Sequence, residues 1–128
     1  MKKVLIVEDE AALQQLWKRE VERYGLEREI TLLQAYTISE AKTMLDQHKD
    51  LHLVVLDEEV VKGNSGLALL KKLRSTYSYV GPVLSISSSS SMRALTVQEG
   101  IRLGHQMDHC EKKFILHHVL NILSISIR

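Results

Sequence analysis

Two acids, Glu8 and Asp9, directly follow the apolar run KVLIV, and three more, Asp57, Glu58 and Glu59, follow HLVVL. Carboxylates at the ends of buried segments need something to hold. Two like charges about 4 Å apart repel by on the order of 4 kcal/mol at an effective dielectric near 20. Brought together, Glu8, Asp9 and Asp57 must keep a proton or bind a cation. Mg²⁺ fits such a set, because it takes one or two carboxylates, keeps waters and leaves room for phosphate oxygens. Ser87 follows the run PVLSI, and Lys112 follows HQMDHCE. A hydroxyl can donate to a phosphoryl oxygen, and an ammonium attracts phosphate as a point charge. The plainer account of the first acids is helix capping, with Asp9 or Glu10 opening a helix. Capping leaves Asp57 unexplained, and acids at two strand ends on one edge favour a site.

The elements that would position these residues read as follows. KVLIV (3–7), HLVVL (52–56) and PVLSI (82–86) are short, rich in Val, Leu and Ile, and barely alternate. Strands covered on both faces read this way. EITLLQA (29–35) carries polar residues that suit an edge strand. In 10–24, Leu13, Leu16, Trp17, Val21 and Tyr24 recur at helical steps, as do Ile38, Ala41 and Leu45 in 38–47, with Thr37 or Ser39 as cap. Leu67, Leu70 and Leu73 line one face of 66–76. A weaker helix is expected over 91–102 and a strong one over 113–125. The stretch 105–111 is assigned a strand only because the alternation demands one. The serine-rich 85–92 suggests a polar loop. Alternating strands and helices imply an α/β doubly wound fold with a mostly parallel sheet. In such a sheet all strands end on one edge, and ligands bind there where the strand order reverses.

The 128 residues suit one domain, spanning 1–128. Apolar residues make up 45% and charged residues 26%, with a net charge of +1, so nothing marks a nucleic-acid or anionic-membrane binder. No apolar run approaches the roughly 20 residues that span a bilayer. The single cysteine, Cys110, cannot form an internal disulfide, and a reducing cytoplasmic setting is expected.

With these residues in place, the chain resembles the receiver domain of two-component response regulators. The resemblance rests on VLIVEDE (4–10), LVVLD (53–57), PVLSIS (82–87) and DHCEKKF (108–114), in order and at receiver spacing. It implies a flavodoxin-like domain with a five-stranded parallel sheet in the order 2-1-3-4-5 and five helices. It also implies Asp57 as phosphoacceptor, reachable from solvent, and Mg²⁺ held by Glu8, Asp9, Asp57 and the backbone carbonyl of Glu59. Ser87 would be the switch hydroxyl, Lys112 the phosphate-contacting lysine, and His109 would stand where the family has an aromatic switch residue. The side chains of Glu59 and Ser89 would tune the lifetime of the phosphoryl group. The implied partners are a histidine kinase or histidine phosphotransfer protein and a possible homodimer through the last strand and helix, with no membrane and no direct nucleic-acid contact. The implied role is signalling rather than enzymatic.

Two departures stand out: Val61 and Lys113 occupy positions where receivers usually carry proline. They motivate a second reading, a receiver that docks proteins without being phosphorylated. A third, a Toprim-like Mg²⁺-dependent nucleic-acid enzyme, matches the acids only partly and leaves Ser87 and DHCEKKF without a role. The last helix carries two apolar stripes, Ile115, Val119, Ile122 and Leu116, Leu120, Leu123, which suit a broad core face or a partner surface. His105, His109, His117 and His118 are expected to be solvated, since their spacing supports no structural zinc site.

Overall fold

The pairing of the first and third strands decides where the acids go. In the computed structural model, which describes residues 1–57 and 66–126, β1 (Lys2–Val7) lies inside a parallel sheet. It runs beside β2 (Ile30–Ala35) on one side and β3 (Leu53–Leu56) on the other. β4 (Val83–Ser85) and β5 (Met107–His109) complete the order β2-β1-β3-β4-β5. The crossovers are α1 (Ala11–Arg23), α2 (Ile38–Gln47), α3 (Gly66–Leu73) and α4 (Ser90–Arg102), and α5 (Ile115–Leu123) closes the chain after a short 3₁₀ turn at Lys112–Phe114. The expected five strands, five helices and strand order are all present.

Each strand feeds both faces, because successive side chains point to opposite sides. Val4 and Ile6 join Leu53, Val55, Leu84 and Ile86 under α1 and α5. Leu5 and Val7 join Val54, Leu56 and Val83 under α2 and α3. All eleven are buried, at about 1.5–3 kcal/mol for each large side chain. This two-sided burial is why the runs did not alternate.

Several boundaries have local causes. Gly25, at φ +65°, ends α1, and the Leu26 N–H donates back to the Val21 carbonyl at 2.8 Å. Thr37 caps α2, its hydroxyl accepting from the Glu40 N–H at 3.0 Å, while the Glu40 carboxylate accepts from the Tyr36 N–H at 2.8 Å. The serine run is not a loop throughout: Ser89 caps α4 and Ser90 and Ser91 form its first turn. β5 is only three residues long and half-buried or exposed. Backbone pairing of Val83, Leu84 and Ser85 with Met107, Asp108 and His109 makes it a strand, which side-chain character could not reveal.

Two expectations need correction, and one open choice is resolved. In α1 the inward face is Gln14, Trp17 and Val21, while Leu16 and Tyr24 are exposed. His105 is not solvated: it is buried, stacked on Tyr79, with Nδ1 3.1 Å from the Gly81 carbonyl. Of the two uses considered for the apolar stripes of α5, the broad core face is the one present, and both stripes pack internally. Ile115, Leu116, Val119 and Leu120 are buried, and Ile122 and Leu123 pack on the same core. The width of that face follows from α5 covering the sheet and touching α1 as well.

Candidate functional site

Val7 pairs with Leu56, so the next residues, Glu8 and Asp57, leave the sheet side by side. The Glu8 N–H donates to the Ala35 carbonyl at 3.0 Å, and the Asp57 N–H donates to the Val7 carbonyl at 3.2 Å. The backbone therefore holds both residues at the carboxyl edge, at the β1/β3 reversal. Carboxylate oxygens of Glu8, Asp9 and Asp57 all lie within 4.8 Å of one another. Glu8 and Asp57 are buried, and Asp9 is exposed.

Lys112 enters this cluster from the turn before α5. Its Nζ lies 2.6 Å from Glu8 Oε1 and donates to Asp57 Oδ2 at 2.8 Å. Two carboxylates buried beside each other need a compensating charge, and the ammonium is that charge. Burial, reinforced by the hydrogen bond with Asp57, pushes the Glu8 carboxyl up to about 8 even though Lys112 pulls the other way. Burial disfavours the charged form of Lys112, but its hydrogen bonds to Asp57 and Glu8 outweigh this and hold it above the ordinary lysine range. The expected solvent-open acceptor is not what the fold presents: Asp57 is 2% exposed. On its outer side Lys112 joins Leu13, Leu16, Arg93 and Lys113 in lining an open recess of about 500 Å³.

Ser87 lies beyond β4 on the same edge and is fully buried. Its Oγ accepts from the Ser89 N–H at 3.2 Å. The Ser89 hydroxyl accepts from the Met92 N–H at 3.3 Å as the cap of α4. His109 is exposed on the edge strand β5. Glu59 and Val61 lie outside the described residues. No described peptide bond is cis, so Lys112–Lys113 is trans, and Lys112 still reaches both acids. Sequence reasoning missed two residues of this edge. Arg93 donates from Nη1 to the Ser87 carbonyl at 2.7 Å. Gln14 donates to the Glu8 carbonyl at 3.2 Å. For Gln14 the one visible signal was a polar residue at helical spacing from Trp17 and Val21.

Residues 4–123 match the family model described as the response regulator receiver domain. The chain belongs to that family. A search of curated proteins finds no match to this receiver. Among solved structures, a Francisella response regulator 1452 receiver domain is 25% identical, with 97% of this chain aligned to 95% of that one at a TM-score of 0.74. A Thermotoga maritima response regulator in complex with Mg(2+)-BeF is 22% identical, with 95% and 99% covered and a TM-score of 0.71. A Burkholderia pseudomallei response regulator with a phosphorylated aspartic acid, a calcium ion and citrate is 20% identical, with 97% and 70% covered, also at 0.71. No helix among the described residues is long and apolar enough to cross a membrane.

The donor set of this receiver suits a hard cation. All three side chains offer oxygen, as Mg²⁺ requires, and the cluster already holds one positive group between Glu8 and Asp57.

Proposed function

We propose that this receiver accepts a phosphoryl group on Asp57 from a histidine kinase or histidine phosphotransfer protein. The observation that carries the reading is the convergence of Glu8, Asp9, Asp57 and Lys112 at the carboxyl edge. Glu8, Asp9 and Asp57, with the Glu59 backbone carbonyl, would hold Mg²⁺, which supplies positive charge to the phosphoryl oxygens. An Asp57 carboxylate oxygen attacks phosphorus, the bond from phosphorus to the donor's imidazole nitrogen breaks, and the imidazole leaves with that electron pair. Lys112 turns from the unphosphorylated Asp57 side chain to the new phosphoryl oxygens and offsets their charge. Ser87, released from the Ser89 N–H, donates its hydroxyl to one of them. Arg93 ties that movement to α4, and His109 and the last helix carry the change to partners, including a possible second copy. Glu59 and Ser89 tune the lifetime of the acyl phosphate.

The burial of Asp57 favours a second reading, a docking module that is never phosphorylated. One experiment separates the two. The protein is incubated with acetyl phosphate and Mg²⁺, and hydroxylamine-labile phosphate is counted in wild type and Asp57→Asn. Phosphate in wild type alone is the expected result. Mg²⁺ binding with no phosphate in either favours the docking module.

A further inference from the structure

Gln14 is fully buried in α1. Its Nε2 lies 3.2 Å from the Ile6 carbonyl, 3.2 Å from the Glu8 carbonyl and 3.0 Å from the Ala35 carbonyl. An amide nitrogen carries two hydrogens, so the three acceptors share two donors. The amide is itself oriented from outside: Gln34 Nε2 donates to Gln14 Oε1 at 3.0 Å and to the Gln14 carbonyl at 2.6 Å. The Ala35 carbonyl also accepts the Glu8 N–H. Both backbone polar groups of Glu8 are therefore fixed by one node that joins α1 to the ends of β1 and β2. Packing alone would be served as well by leucine or methionine, and burying an amide is costly unless its hydrogen bonds are made. Here they are made, and they fall on the residue whose carboxylate enters the acid cluster.

We propose that Gln14, oriented by Gln34, is a positioning residue for the cation site: it sets where Glu8 and Asp9 stand relative to Asp57. The inference rests on reading the acids as a Mg²⁺ site. Mg²⁺ demands near-ideal octahedral geometry, so a small drift of the corner between β1 and α1 costs affinity. Loss of groups that orient metal ligands commonly weakens metal binding by about 10–100-fold.

The test is calorimetric titration of the full chain with Mg²⁺, for wild type, Gln14→Met, Gln34→Leu and Val119→Ala. Val119 is buried in α5, so its truncation destabilises the fold through α5 rather than through the β1–α1 corner. Binding about 10-fold weaker or more is expected for Gln14→Met, a smaller loss for Gln34→Leu, and no change for Val119→Ala. In the metal-free protein, amide exchange at Glu8 and Asp9 should quicken in Gln14→Met and not in Val119→Ala. Wild-type affinity in Gln14→Met, or an equal loss in Val119→Ala at matched melting temperature, overturns the inference and leaves the site reading intact. Absence of Mg²⁺ binding in wild type overturns both. Where Gln14→Met does not fold, Gln34→Leu decides: unchanged affinity overturns the proposal.

Discussion

Lys112 and Cys110 lie two residues apart and meet opposite fates. The Lys112 ammonium stays charged because two carboxylates face it. Cys110 is buried, and the downward pull of Arg93 on its thiol is too weak to offset that burial. Burial, helped by Asp108, pushes its thiol up to about 12. The thiolate is the reactive form, so folded protein should resist iodoacetamide across pH 7 to 9 and react promptly in guanidinium chloride. Mass spectrometry of timed aliquots checks this, and equal rates in the two conditions would refute it. The same scale explains what could be read in advance. Glu8, Asp9 and Asp57 were legible because charged residues directly after strand-like runs have few reasons to be there, and Lys112 through the DHCEKKF segment. Gln14 and Arg93 were not, because their partners are carbonyls of Glu8 and Ser87, and every residue has a carbonyl.

At the scale of elements, α4 is tied down at both ends and close-packed between them. Arg93 holds its N-terminal end to the Ser87 carbonyl. Arg74, in the turn after α3, donates to the Leu103 carbonyl at its C-terminal end, at 3.2 Å. At Gly100 a Cβ would lie 2.1 Å from Met107 Sδ and 2.6 Å from its Cγ. Alanine there gains up to about 1 kcal/mol of helix propensity but forces Met107 from its place, at about 1–3 kcal/mol. Gly100→Ala should therefore lower stability in urea titrations. In a Met107→Ala background the same change should raise it, because only the propensity gain remains. A loss of equal size in both backgrounds would show that the helix, not its spacing from β5, sets the cost. The weak reading of β5 has the same origin. Its place depends on α4 coming close enough to cover Met107, a distance that no residue in 105–111 encodes. The central strands needed no such help, since burial on both faces writes itself into KVLIV and HLVVL as unbroken apolar runs.

For the whole molecule, the parallel sheet makes every strand pairing long-range, and the acid site follows suit. The Lys112–Asp57 hydrogen bond joins residues 55 apart in the chain. It forms only after β4 and β5 have been added to the sheet. Non-local contacts carry a loop-closure cost before they contribute. The lysine is thus expected to join late, outside the transition state in which β1, β3 and their helices assemble. Interactions missing from the transition state act on escape from the native state rather than on entry. In stopped-flow experiments Lys112→Met should speed unfolding several-fold and leave refolding near the wild-type rate. A refolding limb slowed as much as unfolding is accelerated would place the lysine in the nucleus instead. The charge that quiets the acids would then act as a clasp on the finished protein, fastened last and governing how long it stays shut.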